Sequence, residues 1–130
     1  MKKAASEIKK SLLLARKNCP WEKGQTIEKR LKELKGEVEE LAQAIEKNDL
    51  ENMREEFGDV FWDLMAIGII AEEKKLFSIK GALEEVNKKI RNRKPWIYGK
   101  EKITTIEEAE KRWHELKAIE KAKKGKKQAI

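Results

Sequence analysis

Five acidic residues in this chain are spaced so that they can act together. Glu37 and Glu40 lie three apart, in a stretch whose apolar residues Ile27, Leu31, Leu34, Val38, Leu41 and Ile45 alternate four and three apart. That alternation is the stripe of a helix packed along one side. Glu56, Asp59 and Asp63 fall within about 60° of one another on a second helix, at roughly 100° per residue. Like charges gathered on one face repel unless a positive charge sits among them. Asp63 is the sharpest case. From Val60 to Ala71, ten of twelve residues are apolar, so this helix is expected to be buried all round. An unpartnered carboxylate there is very costly, which leaves Asp63 either protonated or paired with a cation. A solvated acidic face with Asp63 at its edge is the plainer alternative, and the apolar surroundings argue against it.

A short turn at Asn48-Asp49 would fold the two helices antiparallel and aim both acidic rows into one gap. Four or five carboxylates with no histidine or cysteine nearby describe a site for a hard cation, Mg²⁺ with Mn²⁺ as a substitute, rather than zinc. Such a site suits a substrate that brings its own negative charge, as phosphate esters do. Lys89 and Arg93, four apart and so on one helical face, are candidates to hold the outer phosphates; a solvent-facing lysine-rich helix is the alternative. The expected chemistry is a metal-assisted displacement in which a carboxylate takes a proton from water and the attack falls on phosphorus. His114, the only histidine, reads as an ordinary helical residue, and Cys19 as a structural cysteine without a histidine partner.

The elements that must position these groups are helical throughout. Helices are expected over about Ala4–Lys17, Thr26–Lys47, Leu50–Lys74, Ser78–Arg93 and from Thr105 to near Ala122. Thr26 and Ser78 stand as N-caps, Thr105 and Glu108 have capping-box spacing, and Pro95 stops the fourth helix. The fold expected is an antiparallel all-α bundle of about five helices, with a four-helix core completed by dimerisation. Residues 1–122 would form one domain, followed by a basic, frayed tail over 123–130.

Composition bounds the rest. The 130 residues carry a net charge of +7, with 39% hydrophobic and 42% charged residues, and the stretch from Lys117 to Lys127 holds six lysines against one glutamate. A basic surface attracts polyanions, although a solvated lysine-rich surface explains it as well. The richness in lysine and glutamate also fits a thermophile. There is no apolar run of membrane-spanning length. The charged start lacks a signal-peptide core, and a single cysteine forms no internal disulfide, so the expected location is the cytoplasm.

With these residues in view, the sequence resembles the MazG-type nucleoside triphosphate pyrophosphohydrolases of the all-α NTP pyrophosphatase superfamily, from about Asn18 to Ala122. Cys19-Pro20-Trp21-Glu22-Lys23-Gly24-Gln25-Thr26 resembles the family's CPWDxxQT opening. Glu37-Val38-Glu39-Glu40 and Glu56-Phe57-Gly58-Asp59 resemble its ExxE and ExxD pairs. The run from Asn87 to Pro95 resembles its NxKxxxR stretch, and Trp113 its late tryptophan. The resemblance implies cleavage of nucleoside triphosphates between the α- and β-phosphates, with Mg²⁺ held by Glu37, Glu40, Glu56 and Asp59, and a house-cleaning role in the nucleotide pool. It also implies phosphate contacts from Lys89 and Arg93, a place for Trp21 near the base, and Gln25 and Asn87 as further substrate-binding candidates. Two departures stand out. Gly36 occupies a position where the family often has glutamate, and Asp63 one where many relatives are uncharged. Asp63 would either join the metal site or alter substrate choice.

The apolar girth of the third helix implies a homodimer or a dimer of dimers, because so short a chain has little interior in which to hide it. A non-catalytic basic helical protein that binds nucleic acid is the rival class. It leaves the buried carboxylates without a purpose, so nucleic acid is not the expected partner.

Overall fold

A computed structural model describes residues 1–128, and within them the all-α expectation holds. The helices are α1 (Lys2–Asn18), α2 (Pro20–Lys23), α3 (Ile27–Glu46), α4 (Leu50–Glu73), α5 (Ile79–Arg93) and α6 (Ile106–Gln128), with a 3-10 turn at Pro95–Tyr98. Two short pieces were absent from the sequence reading, α2 and the 3-10 turn, and each begins at one of the two prolines. Proline preset at the first helical position starts a helical turn as readily as it stops one. The segment after residue 122, expected as a frayed tail, continues α6 to Gln128; residues 129 and 130 lie outside the described residues.

The chain divides into two compact units, Met1–Ile79 and Lys80–Ile130. In the first, α3 and α4 form the antiparallel hairpin expected from the turn. Asn48 adopts a left-handed conformation (φ 53°), while Asn48 N–H donates to Ile45 O and Asp49 N–H to Ala44 O at 3.1 and 3.0 Å. These are the two bonds that close a helix around a left-handed residue. Asp49 then caps α4 by accepting from Asn52 N–H at 3.2 Å, so one three-residue turn ends α3 and starts α4. Thr26 caps α3 as expected, accepting from Lys29 N–H at 3.1 Å.

The core of this unit is small. Leu12 of α1 packs against Ala66 and Ile69 of α4, with Ile8, Trp62, Met65 and Ile79 around them. Charge closes its rim: Arg16 of α1 grips Glu73 at 2.6 Å, and Lys9 reaches Glu72 at 3.6 Å. The stretch from Val60 to Ala71 of α4, expected to be buried all round, is covered only in part. Ile69, Ile70 and Ala71 are buried, but Phe57 is 68% and Leu64 57% exposed. The stripe of α3 splits in the same way, with Leu31, Val38 and Ile45 exposed while Ile27, Leu34 and Leu41 are half-buried.

The second unit has no fully buried residue among those described. Cations lying on aromatic rings knit it together. Arg93 and Lys94 stand 5.1 and 5.4 Å from the Trp113 ring, and Arg91 lies 4.4 Å from that of Tyr98. Arg112 also bridges Glu101 at 2.7 Å and Glu115 at 3.2 Å. No helix among the described residues is long and apolar enough to cross a membrane.

Two glycines test the packing of the first unit. A Cβ on Gly68 would stand 2.6 Å from Ile79 Cγ1, whereas one on Gly36 meets nothing within 4 Å. Alanine is the better helix former by about 1 kcal/mol, and overpacking costs about 1–3 kcal/mol. Gly36→Ala should therefore raise the thermal midpoint, and Gly68→Ala should lower stability by about 1 kcal/mol net. Paired thermal melts check both signs.

Candidate metal centre

The α3–α4 hairpin brings acids of the two helices together. Glu37 on α3 and Glu56 and Asp59 on α4 each place one carboxylate oxygen within 4.8 Å of the other two. Glu40, one turn along α3 from Glu37, interacts with Glu56. Beside them a cavity of about 310 Å³ opens between the helices toward Lys47, Asp49 and Asn52. Among the described residues, no lysine or arginine forms an ion pair with Glu37, Glu40, Glu56 or Asp59.

Proton affinity records the crowding. The Glu37 carboxyl is pushed up to about 8, first by its hydrogen bond with Glu56, then by desolvation and the charges of Glu40, Asp59 and Glu56. Glu56 also rises. The hydrogen bond from Glu37 favours its ionised form, but desolvation, the bond with Glu40 and the charges of Glu40 and Asp59 outweigh it. Glu37 Oε2 and Glu56 Oε2 are both buried without a protein donor. A proton shared by two facing carboxylates relieves this partly; a divalent cation would relieve it more fully. Hard oxygen donors, unpaired charge and orphaned buried lone pairs together fit Mg²⁺ or Mn²⁺.

Asp63 lies outside this trio, and the alternatives the sequence left for it resolve toward a cation. Arg30 Nη2 stands 3.0 Å from Asp63 Oδ1, and Nη1 of the same guanidinium reaches Glu22 Oε1 and Oε2 at 3.1 and 3.0 Å. Arg30 is 2%, Asp63 7% and Glu22 8% exposed. Burial pushes the Asp63 carboxyl up, and the Arg30 charge opposes it. The sequence reading missed Arg30 and Glu22. The available signal was that α3 carries a single arginine among its lysines, and a planar guanidinium is the cation that can serve two buried carboxylates at once.

Of the substrate-binding candidates, Trp21 is 52% exposed and its ring centroid lies 5.3 Å from the Arg30 guanidinium carbon. The Gln25 amide donates to Trp21 O at 3.5 Å, while its Oε1 is buried without a partner. Asn87, Lys89 and Arg93 belong to the second unit. There Lys89 and Arg93 line a cavity of about 450 Å³ with Lys88, Lys123 and Lys124, and Arg93 is bound to Glu120 at 2.8 Å.

Known proteins resemble this chain in sequence and in fold. Residues 25–98 match the family model described as the MazG nucleotide pyrophosphohydrolase domain. The chain is 33% identical over 106 residues to the nucleoside triphosphate pyrophosphohydrolase/pyrophosphatase MazG of Thermotoga maritima, covering 82% of this chain and 40% of that protein. It is 26% identical over 112 residues to the nucleoside triphosphate pyrophosphohydrolase of Escherichia coli K12, covering 86% of this chain and 43% of that one. It thus spans less than half the length of these relatives. Among solved structures, that of a mazG-related protein from Thermotoga maritima superposes with a TM-score of 0.79 at 38% identity, over 87% of this chain and 98% of the other.

The raised Glu37 carboxyl makes a signed prediction. Its proton is held up to about 8 in the folded protein, against 4.5 for the ordinary group. Without metal, this group's contribution to stability is full below 4.5 and is lost as pH rises to about 8. A divalent cation favours the ionised form, so the rise in melting temperature on adding Mg²⁺ should grow across the same window. Glu37→Gln should flatten both trends in a series of melts with and without the ion.

Proposed function

The chain belongs to the MazG nucleotide pyrophosphohydrolase family, and from that premise we propose that it hydrolyses nucleoside triphosphates to the monophosphate and pyrophosphate, with Mg²⁺ as its cofactor and Mn²⁺ as a substitute. The observation that carries this reading is the group of facing carboxylates on α3 and α4, close together and, among the described residues, paired with no lysine or arginine. Glu37, Glu40, Glu56 and Asp59 would hold the metal. When bound, the ion would neutralise phosphate charge and make water more acidic.

The remaining work falls to the chain's own side chains. A carboxylate of the group accepts the proton of the attacking water. Attack at the α-phosphorus releases pyrophosphate. Lys89 and Arg93 of the second unit are the candidates for the outer phosphates, and Trp21 of the first is the candidate for the base. A house-cleaning role, removing unwanted triphosphates from the cytoplasmic pool, follows from this reaction.

The working form in this proposal is a homodimer or a dimer of dimers. Leu31, Val38 and Ile45 on α3, and Phe57 and Leu64 on α4, recur every seven residues and stay exposed in the single chain. Apolar residues at that period suit packing between helices of two copies.

Incubating the protein with each nucleoside triphosphate and Mg²⁺ should yield pyrophosphate and no single phosphate, and chelation should stop the reaction. Glu56→Ala and Asp59→Ala should each lower kcat by at least about 100-fold with helical content intact. Release of orthophosphate, or undiminished turnover in both variants, would refute the reading. Light scattering should give at least twice the mass of the chain, and a stable monomer would refute the oligomer.

A further inference from the structure

The buried guanidinium of Arg30 ties the exposed ring of Trp21 to the acidic helix. Helix α2, which carries Trp21, has four residues and is too short to hold an orientation by its own hydrogen bonds. Its side-chain anchor on α3 is the double contact of Glu22 with Arg30 Nη1 at 3.0 and 3.1 Å. The same guanidinium lies under the Trp21 ring, 5.3 Å from the centroid, and its Nη2 grips Asp63 at 3.0 Å. Asp63 stands one helical turn from Asp59. One cation thus sets α2, α3 and α4 in register. Arg16 adds a bond to Gln25 O at 3.3 Å and another to Glu22 O, so the backbone within α2 and just after it is held while the ring of Trp21 remains half in solvent. A large aromatic left uncovered beside so much fixed structure is a platform for a planar ligand.

We propose that Arg30 is a positioning residue for nucleobase binding: it fixes Trp21 as a stacking wall at a set distance from the carboxylates that would hold the metal. This rests on the triphosphate-hydrolysing reading of the same site. Arg30 is too deeply buried to meet substrate itself, so its influence passes through the tryptophan. Substrate binding therefore depends on Arg30 more than the chemical step does.

The test is a double-mutant cycle. Arg30→Lys keeps a cation for Glu22 and Asp63 but loses the flat plane beneath the ring and the fork that serves both carboxylates. KM for a nucleoside triphosphate should rise about tenfold in Arg30→Lys with kcat within about twofold. It should rise similarly in Trp21→Ala, and the double variant should be no worse than Trp21→Ala alone. Losses that multiply in the double variant, or a fall in kcat with KM unchanged, overturn the proposal. If Arg30→Lys proves unfolded by circular dichroism, Glu22→Gln loosens the same anchor and takes its place in the cycle. Fluorescence separates this proposal from the reading beneath it. The Trp21 emission, obtained by subtracting the spectrum of the matching Trp21→Phe protein, should shift to the red and become easier to quench with acrylamide in Arg30→Lys. An unchanged Trp21 signal overturns the positioning role whatever the activity. Absence of triphosphate hydrolysis by the wild-type protein would instead remove the catalytic reading, and with it the role in base binding.

Discussion

Two helices hold like charges closer than those charges would choose. Within the α3–α4 hairpin, oxygens of Glu37, Glu56 and Asp59 lie within 4.8 Å of each other, and among the described residues no lysine or arginine pairs with them. Folding must supply the free energy that keeps them there, and the Glu37 carboxyl is pushed up first by its hydrogen bond with Glu56, then by desolvation and the neighbouring charges. The left-handed turn at Asn48 and the cap at Asp49 set the register of the hairpin. The core of Leu12, Ala66 and Ile69 keeps α1 against α4. These elements come before function: the acids can face one gap only because the turn fixes which residues of α3 oppose which of α4.

A second cluster solves the opposite problem. Glu22 and Asp63 are buried carboxylates, and Arg30 serves both. Buried ion pairs are weak evidence for stability, since desolvation offsets much of the attraction, but removing one partner of such a group is strongly destabilising. Asp63 and Asp59 share a face of α4 yet meet different fates. Asp63 is taken by an arginine, while Asp59 is left with the acids. That division separates a charge used to hold the fold from charges available to a metal.

Much of this was legible in the residues, for reasons that can be named. The stripe from Ile27 to Ile45 gives α3 directly, and Thr26 marks its start, because helical period and capping are local properties. The short Asn48-Asp49 turn forces the hairpin, so the meeting of Glu37 with Glu56 and Asp59 could be anticipated. What escaped depends on contacts distant in sequence. Arg30 and Asp63 are thirty-three positions apart, and no spacing rule joins them. Helix α2 escaped because Pro20 breaks the helical pattern, and the residues alone do not mark it as the first of a new helix. The exposure of Phe57 and Leu64 was hidden for another reason: a run of apolar residues shows that a surface needs covering, not whether the same chain covers it.

The central claim is that crowded carboxylates on α3 and α4 give up a proton to take a divalent cation. Calorimetric titration of the protein with Mn²⁺ near pH 7, repeated in buffers of different ionisation enthalpy, measures binding and proton release together. The account predicts binding with release of about one proton per site, lost in Glu37→Gln while that variant still binds, more weakly. Absence of binding at millimolar Mn²⁺, or binding with no proton released by the wild-type protein, would contradict it.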